Sequence, residues 1–175
     1  MNYLFLDNGF EEIEAITTID LLRRANIPVT TVSMTGSLSV TGAHRITVQA
    51  DARMEDTRFD DAVMLILPGG ATHLEQHASL CDLLLHHNRE GKQIAAICAA
   101  PAVLGKLGIL DGKQATCYPG FEQWLGESHT DDLVVQSGNI ITAKGPGLSS
   151  DFAFCLIERL ADKETADQVY DAAQY

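Results

Sequence analysis

Short apolar segments alternate with longer amphipathic ones along this chain, and the alternation favours the α/β class of folds. The segments FDDAVMLILPGG (59–70) and KQIAAIC (92–98) each contain an uninterrupted apolar run, which is typical of a strand buried on both faces of a parallel sheet. Between them, residues 72–91 have the length and pattern of a helix that ends near Gly91. We therefore expect a mostly parallel central sheet with helices packed against it.

The same periodicities predict the rest of the secondary structure. A strand over 2–9 precedes a helix over 10–26, whose predicted apolar stripe comprises Ala15, Ile16, Ile19 and Leu22. The other predicted elements are a strand at 28–34, hairpins at 38–51 and 133–147, a helix from Ala99 to about Leu107, a loop region at 114–127, a helix at 148–162 capped by Ser149 or Ser150, and a final helix at 163–175.

The size and charge of the chain exclude several functions. Its 175 residues suit one domain, 1–175, and the net charge of −12 opposes binding to nucleic acid or to an anionic membrane. The N-terminal sequence has no basic region of the kind a signal peptide needs, and no apolar run is long enough to span a membrane. The four cysteines form no C-x-x-C pair, so we expect reduced thiols and a cytoplasmic location.

Cys98 stands where a buried strand is predicted to turn into a helix. A nucleophile elbow has this order of strand, sharp turn and helix; it usually carries glycines on both sides of the nucleophile, where this chain has Ile97, Ala99 and Ala100. The free N–H groups and the helix dipole at that turn favour a thiolate, so we expect the pKa of Cys98 to fall below its free value. The alternative is an inert, buried cysteine at a strand end, which position alone does not exclude.

Glu14 is the predicted partner of Cys98. It lies one turn into the first helix, on a face with Thr18 and Leu21, and this placement predicts partial burial. A buried carboxyl has a raised pKa, and in its protonated form it donates a hydrogen bond to a thiolate. An ionised Glu14 would instead repel the thiolate and raise the pKa of the cysteine. The predicted pair therefore requires that Glu14 keeps its proton.

Two glycines supply the third part of the predicted site. Gly69 and Gly70 end the buried strand that begins near residue 62, and glycine lets backbone N–H groups approach a ligand closely. Together with the N–H of Ala99, they are candidates for an oxyanion hole. Taken alone, two glycines after a strand are usually only a turn.

Four segments, GFEEIEAI, LPGG, AAICAAPAVL and KGPGLSSDFAF, together resemble the ThiJ/PfpI superfamily, and most closely its parkinsonism-associated deglycase branch. The resemblance implies a flavodoxin-like three-layer sandwich, a homodimer, and activity that needs no cofactor and no metal. By the same resemblance Cys98 is the reactive cysteine, Glu14 is its protonated partner, and Gly70 and Ala99 offer N–H groups to an oxyanion. Asp20 and Arg24 also fall on family-like positions and are candidates for structural or dimer contacts.

The chain departs from the family pattern at three positions. Ala99 stands where protease-like members carry a histidine after the cysteine, which disfavours peptidase activity. Tyr118 replaces a histidine found before the loop proline in some members, and it is expected to line the pocket. Lys144 replaces an arginine found in some relatives, which alters the anion contacts expected there. Acid–base chemistry then depends more heavily on Glu14.

The sequence supports three hypotheses about function. The first is a cofactor-independent glyoxalase or deglycase that converts small reactive aldehydes such as methylglyoxal, or glycated substrates, to hydroxyacids through Cys98 and Glu14. The second is a non-enzymatic redox sensor or chaperone-like protein that is switched by oxidation of Cys98. The third is a cysteine hydrolase with His44 as the candidate base. An approach of Cys117 to Cys98 is left open, and His73 with His77 is expected to be a surface pair and not a zinc site.

Overall fold

A computed structural model describes residues 1–71 and 73–175 of the chain. Its strands are β1 Asn2–Leu6, β2 Val29–Ser33, β3 Ser39–Thr41, β4 Thr47–Gln49, β5 Ala52–Arg53, β6 Met64–Leu67, β7 Gln93–Ile97, β8 Val134–Ser137 and β9 Ile140–Ala143. Its α-helices are α1 Glu12–Arg24, α2 Ala78–Arg89, α3 Pro101–Lys106, α4 Ser149–Leu160 and α5 Lys163–Ala173. Within the described part of the chain, no helix is both long and apolar enough to cross a membrane.

Seven strands form one sheet in the order β5-β2-β1-β6-β7-β9-β8, and only the β8–β9 pair is antiparallel. The order reverses direction after β1, which is the topological switch at which such sheets bind ligands beyond the carboxyl ends of the strands. β3 and β4 form a separate antiparallel hairpin. The predicted flavodoxin-like α/β sandwich with a mostly parallel sheet is confirmed.

Two apolar clusters cover the two faces of the sheet. Leu4 and Leu6 of β1 belong to a cluster with residues of α1 and α4, whereas their neighbours Tyr3 and Phe5 belong to a second cluster with residues of α2 and α3. Alternate strand residues point to opposite faces, so these two clusters lie on opposite sides of the sheet. The central strands β6 and β7 are buried on both sides, as their uninterrupted apolar runs predict.

Several predicted boundaries differ from the structure. β1 ends at Leu6 and not at Gly9, while α3 begins at Pro101 and not at Ala99, because Cys98, Ala99 and Ala100 form a turn. The sequence predicts that the second helix begins at Thr72, which lies outside the described residues. In the structure α2 begins at Ala78, and a short 3-10 turn at Leu74–Gln76 precedes it.

Two side-chain predictions are wrong. No side chain caps α4, because the Ser149 hydroxyl donates a hydrogen bond to the Pro146 carbonyl at 2.7 Å instead. Ile16 is 42% exposed and lies outside the buried stripe of α1, to which Ala15, Ile19 and Leu22 do belong. Thr18 and Leu21, the predicted neighbours of Glu14 on the helix, are buried.

Candidate active site

Cys98 lies on a tight, left-handed turn directly after β7. Its backbone φ is +66°, in a region that residues other than glycine rarely adopt. The Cys98 N–H donates to the Ala143 carbonyl at 2.9 Å, and the Cys98 carbonyl accepts from the Tyr118 N–H at 2.8 Å. Hydrogen bonds from two other segments therefore hold the turn in a conformation that projects the sulfur from the strand end, as the predicted elbow requires.

Glu14 is fully buried beside this thiol. Its Oε2 accepts a hydrogen bond from the Gly69 N–H at 2.6 Å, and its own N–H donates to Glu11 Oε2 at 2.8 Å. Its other oxygen, Oε1, is buried and receives no hydrogen bond of ordinary geometry from residues 1–71 and 73–175. A buried carboxylate oxygen without a donor is costly, whereas a protonated oxygen in that place can donate to the neighbouring sulfur.

Two backbone N–H groups from different segments favour the Cys98 thiolate. Those of Ala99 and Gly70 lower the pKa of the thiol, against the larger effect of burial. Gly70 has a φ of +104°, and an added Cβ would collide with the Gly9 carbonyl oxygen. An isolated β-bridge to Phe10 holds Gly70 in place. Glycine is therefore needed at position 70 for its N–H to reach the site.

Gly69 has a different part in the site from the one the sequence predicts. Its N–H is bound to the Glu14 carboxyl, so it is not free for an oxyanion. An added Cβ at Gly69 would lie 2.8 Å from the Cys98 Cβ and 3.0 Å from Glu14 Oε2. The missing side chain lets the carboxyl and the thiol approach one another, and Gly69 positions Glu14.

Glu14 and Cys98 change each other's ionisation. Burial raises the pKa of Glu14 from 4.5 to about 7, against the hydrogen bonds from Gly69 and Cys98. Burial also raises the pKa of Cys98 from 9.0 to about 12, with further increases from the charge and hydrogen bonding of Glu14. The fall in the pKa of Cys98 predicted from the turn is therefore wrong, because burial outweighs the N–H groups of Ala99 and Gly70, whereas the rise predicted beside an ionised Glu14 agrees with the structure. Because the ionisations of Glu14 and Cys98 are coupled, the proton lost near neutral pH belongs to the pair and not to either residue alone.

A cavity of about 260 Å³ adjoins the site, and both N–H donors, Gly70 and Ala99, line it. Tyr118 lines a neighbouring cavity of about 340 Å³ together with Lys144, while its backbone supports the Cys98 turn. Tyr118 is predicted to line the substrate pocket, and the cavity that it does line is this second one. Lys144 itself lies 3.6 Å from Asp131 Oδ1.

Three other residues considered from the sequence have partners away from Cys98. His44 binds Glu12, with its Nδ1 2.8 Å from Glu12 Oε2, and its ring is 70% exposed. Cys117 packs in the apolar cluster on the other face of the sheet from Cys98, which is part of the first cluster. His77 lies 2.9 Å from Asp7, so it does not form a pair with His73. The carboxylates of Glu11 and Glu12 and the His44 ring approach one another closely: one oxygen or nitrogen from each lies within 4.8 Å of the other two.

Sequence reasoning missed the charged residues that line the first cavity. Glu75 and Lys106 form an ion pair of 3.0 Å there, and His73 lies on the same wall. Glu75 and His73 follow closely after the strand end that carries Gly70, and this position is the sequence signal that could have identified them as site residues. Lys106 is the last residue of α3, but its pairing with a residue 31 positions away has no local signature.

The chain has a mostly parallel sheet covered by helices on both faces and a strained cysteine at a strand end. These features place it in the class of α/β proteins with a nucleophile elbow. Residues 3–159 match the DJ-1/PfpI family, and the chain belongs to that family. The ThiJ/PfpI resemblance and its DJ-1-like branch are thereby confirmed.

Individual relatives agree with this assignment. Protein dj-1beta of Drosophila melanogaster is 36% identical over 172 residues, which cover 95% of this chain and 92% of that protein. A protein of Pyrococcus abyssi named as a deglycase is 30% identical over 143 residues, covering 79% of this chain and 86% of that protein. The structure of oxidized DJ-1 from Toxoplasma gondii superposes with a TM-score of 0.95 at 34% identity, covering 99% of this chain and 97% of that one.

Proposed function

We propose that the protein is a stress-response enzyme that converts small reactive carbonyls, such as methylglyoxal, to hydroxyacids in a reducing cytoplasmic compartment. One observation carries this proposal: a buried carboxyl and two backbone N–H groups act on the ionisation of a single strained thiol beside a small cavity. This arrangement supplies a nucleophile, a proton carrier and an oxyanion site. The name of the Pyrococcus relative supports the same substrate class.

The proposed chemistry is an internal redox isomerisation. The Cys98 sulfur attacks the aldehyde carbon and forms a C–S bond, while the N–H groups of Gly70 and Ala99 hold the oxygen and Glu14 gives it a proton. The ionised Glu14 then removes the hydrogen of that carbon as a proton, and the hydroxyl proton moves to the oxygen of the neighbouring carbonyl. Glu14 returns its proton to that neighbouring carbon, which yields a hydroxyacyl thioester. Water breaks the C–S bond and releases the hydroxyacid and the thiol. One carbon is oxidised as the other is reduced, so atoms and electrons balance.

The product of methylglyoxal tests this function. We expect lactate to accumulate as methylglyoxal disappears, with ¹H NMR following both compounds. A deglycase activity would release the same acid from glycated amines or thiols, so preformed adducts are compared with free aldehyde at equal concentration. Loss of methylglyoxal without lactate would show adduct formation only and would contradict the proposal.

When Glu14 and Cys98 have together lost one proton, this mechanism requires the remaining proton to be on Glu14 and the negative charge on the Cys98 sulfur. Glu14→Gln mimics the protonated carboxyl in shape and charge, since one side-chain oxygen still accepts from Gly69 and the amide can donate to sulfur. We expect the rate of Cys98 alkylation by iodoacetamide at about pH 8 to change less than about threefold in this variant. If the proton resided on sulfur instead, removing the charge of Glu14 would accelerate alkylation more than about tenfold.

A redox sensor is the second candidate, because the same donors that surround the thiol would also hold its oxidised form. The Cys98 thiolate and two molecules of hydrogen peroxide give a sulfinate and two molecules of water. Under graded peroxide, peptide mass analysis is expected to show Cys98 oxidised before Cys81 and Cys155. Equal oxidation of all three would end this candidate. The hydrolase hypothesis loses its base, because His44 binds Glu12.

We also propose that the protein is a homodimer formed through α1 and the adjacent hairpin. Ile13, Ile16 and Ile46 are exposed there, and the Ile46 N–H donates to Glu12 of α1 at 3.4 Å, which brings these side chains to one region. Exposed isoleucines next to one another are typical of an interface.

Substitution of the exposed isoleucines tests that interface. We expect Ile13→Glu/Ile16→Glu to halve the mass measured by sedimentation, because two buried charges per copy oppose association. Leu133→Glu changes another exposed apolar residue, far along the sheet at its β8 edge, and is expected to leave the mass unchanged. A wild-type monomer, or a dimer that survives both isoleucine changes, would contradict this interface.

A further inference from the structure

The cavity beside Cys98 contains a matched pair of opposite charges. Lys106 Nζ lies 3.0 Å from Glu75 Oε1, and the two side chains are 32% and 33% exposed. Both residues line the same cavity as Gly70 and Ala99, whose N–H groups lower the pKa of the Cys98 thiol. Any molecule that reaches the thiol through this cavity therefore passes a fixed cation and a fixed anion.

The positions of these two charges are restrained. Lys106 Nζ lies 4.6 Å from the centroid of the Trp124 ring, a cation–π distance that holds its stem in place. The hydrogen bond from Lys106 lowers the pKa of Glu75 against the effect of burial, so the carboxylate remains ionised at neutral pH. Among the described residues that line the cavity, His73 is the other titratable side chain.

We propose that the Glu75–Lys106 pair determines charge selectivity: with both charges balanced, the cavity admits small uncharged carbonyl compounds and gives no advantage to anionic ones. This inference rests on the proposed function and specifies its substrate class as neutral short-chain oxoaldehydes. Without Glu75, the free ammonium of Lys106 attracts anions to the thiol. Without Lys106, the unpaired carboxylate repels them.

A pair of alkylating reagents tests the selectivity without relying on turnover. Iodoacetamide is neutral and iodoacetate carries one negative charge, so the ratio of their rates at Cys98 reports the field in the cavity, while the ionisation of the thiol cancels. Rates are followed by the mass of the peptide that contains Cys98. Compared with wild type, we expect the iodoacetate-to-iodoacetamide ratio to rise about fivefold in Glu75→Gln and to fall about fivefold in Lys106→Met.

Two further variants serve as controls. Glu75→Gln/Lys106→Met removes both charges and is expected to return the ratio to within about twofold of wild type. His73→Gln is expected to leave the ratio within about twofold as well. Equal ratios in all variants, or a larger change in His73→Gln than in Glu75→Gln, would overturn the proposal.

The same variants connect selectivity with substrates. Glu75→Gln is expected to raise kcat/KM for glyoxylate relative to methylglyoxal about fivefold. If wild type shows no turnover of any aldehyde while the alkylation ratios shift as expected, the proposed function fails and the selectivity of the cavity stands. If turnover is present but the ratios do not respond, only the selectivity proposal fails.

Discussion

Replacing Cys98 with serine is expected to lower the turnover of methylglyoxal by at least about 10³-fold. A serine hydroxyl is much less acidic than a thiol, and Glu14 cannot compensate, because even with a pKa raised to about 7 its carboxylate is far too weak a base to ionise an alcohol. The N–H groups of Gly70 and Ala99 also favour a thiolate at this strained turn. The measurement is the rate of lactate formation by purified wild type and variant under identical conditions.

Cys155→Ser is the matched control for this substitution. Cys155 is a free thiol on α4 and lines a separate cavity that contains neither Gly70 nor Ala99. Its replacement is expected to change turnover less than about twofold. A Cys98→Ser protein that is folded and retains more than about a tenth of wild-type turnover would place the nucleophile at another residue.

Stability is expected to fall with rising pH because of Glu14. The pKa of Glu14 is raised from 4.5 to about 7 in the folded protein, so between these values the folded state holds a proton that the unfolded chain has lost. The contribution of Glu14 to the free energy of unfolding is therefore fully present below about pH 4.5 and is lost as pH rises through about 7. From about pH 5.5 to 8.5, linkage predicts a loss of about 2 kcal/mol from this pair.

Urea unfolding of Cys98→Ser and of Cys98→Ser/Glu14→Gln checks this value. Without the thiol that titrates with Glu14, the difference between the two free energies of unfolding isolates Glu14. We expect the double variant to gain about 2 kcal/mol on Cys98→Ser across that range. The range begins above the isoelectric point, near 4.7, where the low net charge promotes precipitation. Parallel stability profiles would show that Glu14 has an ordinary pKa in the folded state.

The local pattern of the sequence predicts most of the fold. The apolar runs of β6 and β7 identify strands buried on both faces, and alternation identifies both hairpins. Helix periodicity is less decisive at the edge of a stripe: Ile16 lies next to the buried face of α1 yet remains exposed. Tertiary packing, and not local hydrophobicity, decides such positions.

The sequence predicts which residues form the candidate site better than it predicts the contacts between them. Cys98, Glu14, Gly70 and Ala99 lie together because each follows a strand end at the same edge of the sheet. The direction of each N–H depends on backbone torsions that the sequence does not report, which is why Gly69 contacts Glu14 and not an oxyanion. The ion pair of Glu75 and Lys106 joins two segments that only the fold brings close.

The hydrogen bond from Gly69 to Glu14 joins residues 55 positions apart, and Cys98 comes from a third segment later in the chain. Closing such long loops costs entropy and delays the contacts that depend on them until late in folding. A nascent or partly folded chain therefore carries Cys98 without the Glu14 carboxyl beside it. The proton transfer and oxyanion binding proposed for this site thus become available only on completion of folding.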